Sequence, residues 1–281
     1  GPPCGGEAVA VRALPERADN IVLPNPAVAV SLVHEDEAIL AFDKPAGQNV
    51  HPLRRDEVDT LANGVVARFP ECGGLGDRPL MAGALHRIDA QTSGLVLFAR
   101  TQAAFDAVRA QFAARQVEKT YLALVEGEVK SPGVIELDLA HDPRSQCCRM
   151  IPVPSLSTSA RPSIPSAHRS CKRQTASGKP QSTSPLRPLH AVTRYEPLSV
   201  RRVENELRTL LRVTIFTGVT HQIRASLALR GMHIVNDRLY GAFAVEGMQG
   251  HCLHSLEARF RHPSDGSELV LSAPLTDWAR K

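Results

Sequence analysis

Apolar positions along this chain repeat in two rhythms, and the places where one gives way to the other predict its elements. Ala38 to Phe42 is an unbroken apolar run ending at the turn sequence Lys44-Pro45-Ala46-Gly47, and it reads as a strand. Leu95 to Ala99 is a second such run, suited to a buried strand, and the polar turn Gln91-Thr92-Ser93-Gly94 leads into it. Asp59 to Phe69 predicts a helix that must stop before Pro70, because the proline ring disfavours helical backbone at the residue ahead of it. Gln102 to Arg115 carries Phe105, Val108 and Phe112 at helical spacing, with Thr101 placed as N-cap. Tyr121 to Val125, Val192 to Leu198 and Leu207 to Phe216 predict three more strands, followed by a helix from near Thr220 to a C-cap at Gly231. His254 to Phe260 and Leu269 to Ser272 predict a hairpin around Pro263-Ser264-Asp265-Gly266. Strands outnumber helices and several pair locally, so the expected class is α+β, not a doubly wound parallel sheet.

Composition adds bounds. A chain of 281 residues that is 43% hydrophobic can bury a sizeable core, as one large domain or two closely joined lobes. No apolar stretch approaches the roughly 18 residues of a membrane span, and Glu7, Arg12, Glu16 and Arg17 break the N-terminal segment where a secretory signal would be apolar. The expected compartment is cytoplasmic, with no membrane partner. The six cysteines form no C-x-x-C pair and read as free thiols. With no H-E-x-x-H or H-x-H array among eleven histidines, no metal is expected. No heptad pattern or long exposed apolar stretch suggests self-association, so a monomer is expected.

Charge is distributed unevenly. Pro143 to His190 holds eight basic residues and no acidic one, leaving 25 basic against 29 acidic residues elsewhere, so this segment carries all the excess of the net +4. It is rich in Pro, Ser and Thr and poor in aliphatic residues, which predicts an extended insertion at about 143–190 that buries too little apolar area to offset its ordering entropy. Its charge suits a flexible arm for RNA phosphates, and equally a solvated insertion with no dedicated role.

Candidate chemistry centres on Ala84 to Arg100, where Asp89 lies between His86-Arg87 and the polar turn. An Asp before such a turn is usually a local cap, so the segment alone does not make it catalytic. Other blocks accompany it in order. They are Phe42-Asp43-Lys44-Pro45-Ala46-Gly47, His51-Pro52, Lys119-Thr120-Tyr121-Leu122-Ala123-Leu124-Val125-Glu126-Gly127 and Thr217-Gly218-Val219-Thr220-His221-Gln222-Ile223-Arg224. Downstream come Asn236-Asp237-Arg238-Leu239-Tyr240-Gly241, Leu253-His254-Ser255 and Phe260-Arg261-His262-Pro263. In order and spacing these resemble the RluA-type RNA pseudouridine synthases, over residues from about 30 to 275.

The resemblance implies a pseudouridine synthase fold, with a mixed, mostly antiparallel sheet and flanking helices around an RNA-binding cleft. It implies an N-terminal extension at 1–30, a catalytic domain at 31–275 interrupted by the insertion, and no S4-like module ahead of it. It further implies an isomerase that converts uridine to pseudouridine in structured RNA, ribosomal or transfer, without a cofactor. Asp89 is then the catalytic carboxylate, attacking C1′ or taking a proton from C2′ to give a glycal. Arg224 is its paired arginine, holding the carboxylate ionised where burial would raise its pKa. Tyr121 lies against the target base and handles the proton at C5. Arg87 fills the stack left by the flipped nucleotide, and His86, Thr92, Lys119, His221 and Gln222 contact RNA, with His86 equally placed to be scaffold.

Two departures stand out. Val219 occupies a position that is usually Arg in the resembled family, and the basic insertion is far longer than the loop it replaces. Val219 supports a second reading, a catalytically silent descendant that binds or remodels RNA. The presence of Asp89, Tyr121 and Arg224 together favours the enzyme. A kinase loop fails because His-Arg-Ile-Asp is not contiguous His-Arg-Asp, and a glycosidase lacks its second positioned carboxylate.

Overall fold

The structure, a computed structural model, describes residues 21–145, 148–153, 188–203 and 206–280. Most of the basic insertion therefore lies outside the described residues, as do residues 1–20 of the expected extension. The chain divides into two compact units, residues 1–123 with 245–281, and residues 124–244.

In the first unit, strands β1 (Ser31–Glu35), β2 (Ile39–Lys44) and β3 (Ser93–Ala99) form an antiparallel meander. Strand β4 (Glu118–Glu126), which carries the chain into the second unit, runs antiparallel along one edge of β9 (Leu253–Arg261). The other edge of β9 is shared. Its start pairs parallel with Ser93 and Gly94 of β3, and its end pairs with β10 (Glu268–Ser272).

Strands β2 and β3 are buried on both faces, which is why their sequence reads as continuous apolar runs. Helix α2 (Gln102–Ala113) covers one face, putting Ala104, Phe105 and Val108 among Ile39, Leu95, Leu97, Val117 and Phe260. Its predicted N-cap holds, because Thr101 Oγ1 accepts the Ala104 N–H at 3.1 Å. Phe42 meets Phe69, at the end of α1 (Leu61–Arg68), and Phe98 edge to face. Residues 22–30, expected to be part of an extension, pack on α1. Asn63 Nδ2 donates to Leu23 O at 2.7 Å, and a Cβ on Gly64 would lie 2.6 Å from Val28 O.

In the second unit, β5 (Gly133–His141), β6 (Met150–Val153), β7 (Leu189–Val203) and β8 (Glu206–Ile215) order as β8-β7-β5-β6, with antiparallel pairing from β8 through to β6. Helix α3 (Gln222–Leu229) lies on this sheet, with Thr193 Oγ1 bonded to Ser226 Oγ at 3.2 Å. Gly231 takes φ +74°, as a C-cap requires. Strands β1, β5 and β6 and helix α4 (Asp277–Arg280) were not predicted. No helix among the described residues is long and apolar enough to cross a membrane.

Candidate active site

The segment carrying Asp89 is tied to strand β3 before it turns. Leu85 N–H donates to Leu97 O at 2.9 Å, and His86 Nε2 accepts the Leu97 N–H at 3.1 Å. With its ring 5.6 Å from Phe112 and its pKa pushed by burial down to about 3, His86 is a neutral brace for this segment. The chain then turns at Asp89, whose carbonyl accepts the Thr92 N–H at 3.0 Å.

Two other segments clamp that turn. Ala90 O accepts from Gly47 N–H at 2.8 Å and from Lys44 Nζ at 3.1 Å. From the other side, His251 shares a 2.8 Å hydrogen bond with Thr92 Oγ1, His254 shares one of 2.9 Å with Ser93 Oγ, and Ser255 Oγ donates to Leu95 O at 3.1 Å. The backbones come so close that a Cβ on Gly94, at φ +107°, would sit 2.2 Å from Ser255 O. The sequence Thr-Ser-Gly thus seats the Asp89 turn on β9, and Thr92, expected at RNA, is buried under it.

Lys44 is the residue that sequence reasoning missed here. It is fully buried, and its ammonium donates to Pro45 O and Gln48 O, each at 2.8 Å, as well as to Ala90 O. Burial pushes its pKa down to about 8, against the opposing pull of the Asp89 and Asp43 charges. The strand period carried a signal. Lys44 alternates with Leu40 and Phe42, both fully buried, so its side chain had to enter the core.

Tyr121 is also buried. Its phenol is pushed up to about 12, chiefly by burial and further by the negative charge of Asp89, while a hydrogen bond with Ser255 opposes the rise. The first unit therefore brings both Tyr121 and Lys44 within electrostatic reach of Asp89, with the phenol protonated at neutral pH. Arg87 is exposed, and its charge helps lower the pKa of the neighbouring His51, behind the larger effect of burial. Lys119, expected at the RNA surface, is buried with its ammonium 5.5 Å from the Phe112 ring, and burial pushes its pKa down to about 8.

The second unit carries the remaining predicted residues at the start of α3. Arg224 is buried, and its Nε and Nη2 donate to the two carboxylate oxygens of Asp237 at 2.7 and 2.8 Å. Tyr240 lies under the guanidinium, 5.1 Å from Cζ to ring centre. Its hydroxyl accepts the Met150 N–H at 2.8 Å and shares a 3.1 Å hydrogen bond with His221 Nδ1. Asp237 and Tyr240 both come from a motif block in the sequence, but nothing in its spacing showed that they meet Arg224. Val219 packs against an apolar cluster that includes Leu139, Met150, Ala225 and Tyr240, which gives its hydrophobic character a structural use.

Gln222, expected at RNA, is spent internally. Its Oε1 accepts from Thr217 Oγ1 at 2.7 Å and Val219 N–H at 3.3 Å, and its Nε2 donates to Val192 O at 2.9 Å and Thr193 Oγ1 at 3.2 Å. Replacing it strands several buried groups. Gln222→Ala is expected to cost about 2 kcal/mol and to lower Tm in a thermal melt, while RNA Kd changes less than about twofold.

The fold is α+β, with an acid on a doubly clamped turn and a buried neutral phenol in the first unit, and a fixed arginine in the second. The sequence profile described as RNA pseudouridylate synthase matches residues 38–229, and the chain belongs to that family. A ribosomal large subunit pseudouridine synthase D of Nitrosomonas europaea is 30% identical over 260 residues, covering 89% of this chain and 63% of its own length. The protein of the same name from Neisseria meningitidis serogroup A is 29% identical over 285 residues, covering 97% and 65%. The chain thus spans just under two thirds of the length of these two relatives. The solved structure of human RNA Pseudouridylate Synthase Domain Containing 1 shares the fold, with a TM-score of 0.63 at 21% identity over 90% of this chain and 86% of that one.

Proposed function

We propose that this chain is an RNA pseudouridine synthase acting on ribosomal RNA of the large subunit, with residues 31–275 as its catalytic region. The observation that carries this reading is the setting of Asp89, an acid held on a turn clamped from two sides beside a buried ammonium and a buried neutral phenol, in a chain of this family. The target in the named relatives is large-subunit ribosomal RNA, which makes it the first substrate to test ahead of transfer RNA.

The reaction breaks the bond between uracil N1 and ribose C1′, turns the base and joins C5 to C1′. The proton on C5 is lost and N1 gains one, so the product is an isomer and the scheme needs no cofactor. Asp89 supplies the carboxylate for attack at C1′ or proton removal at C2′, and Arg224 is the arginine that the family resemblance pairs with it. Tyr121, a neutral phenol at working pH, supports the base as a ring and hydrogen-bond donor. It can take the C5 proton only by first giving up its own. Exposed Arg87 fills the vacated stack and His221 faces the RNA backbone, whereas His86, Thr92, Lys119 and Gln222 brace the segments that carry them. The basic stretch 143–190 adds phosphate attraction that weakens with salt.

The test is a nucleoside mass-spectrometric count of pseudouridine in unmodified transcripts of large-subunit ribosomal RNA and transfer RNA after incubation with the chain. Product in the ribosomal transcript alone is expected. Product only in transfer RNA would overturn the substrate assignment. Binding without product in either would favour the silent RNA-binding reading raised by Val219.

A further inference from the structure

We propose that Asp237 and Tyr240 are the positioning residues of Arg224, fixing its guanidinium from the edge and from the face. The inference rests on the proposed role of Arg224 and adds two residues to it. Arginine is a long side chain whose value at a reacting centre depends on being held in one orientation before substrate arrives.

Two independent constraints do this within the second unit. The fork contact to Asp237 uses the Nε–Nη2 edge, with the carboxylate itself buried, and so fixes the rotation of the guanidinium plane. The Tyr240 ring under Cζ fixes its height and tilt. The Nε and Nη2 contacts to Asp237 thus set the direction in which the rest of the guanidinium points.

Both constraints are themselves held. Asp237 starts the short 3₁₀ turn Arg238–Tyr240, and its carbonyl accepts the Tyr240 N–H at 3.1 Å, so edge and face supports come from one rigid piece of backbone. Asn236 enters that turn at φ +66° and Gly241 leaves it at φ +105°, conformations that confine the turn to few sequences. His221, one residue ahead of α3, meets the edge of the Tyr240 ring at 84° and 5.7 Å, and Met150 of β6 donates to its hydroxyl. A buried carboxylate whose two oxygens face one guanidinium, on a turn shaped to carry it, is more than a surface ion pair that ties a helix down.

The test is a double-mutant cycle on kcat with the full chain, using Arg224→Gln, Asp237→Asn and both together, with KM measured alongside. Asp237→Asn keeps the shape but turns an amide toward the guanidinium donors, and is expected to lower kcat about 10- to 100-fold with KM changed less than threefold. The double variant is expected to match Arg224→Gln within about twofold, because Asp237 acts through Arg224. If the two effects multiply, Asp237 has a separate structural role and the inference fails. It fails equally if Asp237→Asn leaves kcat unchanged while Arg224→Gln lowers it. If Arg224→Gln itself leaves kcat unchanged, the role of Arg224 under the proposed function is wrong, a distinct result. Should Asp237→Asn not fold, Tyr240 carries the test. Tyr240→Phe, which keeps the ring and loses the hydroxyl bonds to Met150 and His221, is expected to lower Tm and to lower kcat far less than Tyr240→Leu, which is expected to lower it at least tenfold. Equal kcat in those two variants would overturn the proposal.

Discussion

Asp89→Asn is expected to reduce pseudouridine formation at least about 10³-fold while RNA Kd shifts less than about threefold, read by nucleoside mass spectrometry and filter binding. The substitution preserves volume and one acceptor and removes only the charge and the ionisable oxygen, so both chemical routes fail together. The amide is a poor nucleophile toward C1′ and cannot take a proton from C2′. Binding is spared because the turn keeps its backbone hydrogen bonds, through the carbonyls of Asp89 and Ala90. The same variant reports on the surroundings of Asp89. Its charge raises the pKa of Tyr121 and of Lys44, so both are expected to fall in Asp89→Asn, and the phenol change can be followed by ultraviolet titration among only three tyrosines. If wild type and Asp89→Asn give equal pseudouridine, Asp89 is not the catalytic acid. If neither gives any while both bind RNA in a salt-dependent manner, the chain is a binder, and restoring Arg at Val219 is the next substitution to make.

Strong periodicity and strong turn chemistry made much of the fold legible. The runs at Ala38 and Leu95 became β2 and β3 because strands buried on both faces must be apolar throughout, and Thr101 capped α2 as its hydroxyl allows. Strands β1 and β5 escaped for the opposite reason. Each alternates partly exposed positions with His, Glu or Asp, as in Glu136 and Asp138 of β5, so neither reads as an uninterrupted run. The division into two units also left no mark, since it falls inside β4, a strand with an unbroken pattern. Among the candidate residues, the motif blocks singled out Asp89, Tyr121 and Arg224, but they did not show how the neighbouring polar residues are used. The family resemblance implied that Lys119 and Gln222 contact RNA, and their burial with internal partners is a tertiary property that motif spacing does not carry. Asp237 was hidden because its partner lies thirteen residues away across a turn whose path depends on the backbone angles of Asn236 and Gly241.

Lys44 is where stability and activity should part with pH. Its ammonium is a buried positive charge on which the charge of Asp89 acts. Its pKa is about 8 in the folded chain and near the ordinary 10.5 when unfolded. Between those values the unfolded state binds more protons, so the Lys44 contribution to stability rises with pH across that window, and the cost of burying its charge is fully present below about pH 8. Activity should run the other way. As pH passes about 8 the ammonium loses a donor and the charge near Asp89, and kcat is expected to fall. Lys119 titrates in the same range, so the assignment needs a variant. Lys44→Met is expected to remove this alkaline fall, lower kcat at pH 7 about 10- to 100-fold, and cost about 3 kcal/mol in denaturant melts. That cost arises because Pro45, Gln48 and Ala90 carbonyls lose their donor in a dry site, outweighing the gain from no longer burying a charge. An alkaline fall in kcat that persists unchanged in Lys44→Met would move the titration to Lys119 and leave Lys44 a purely structural strut.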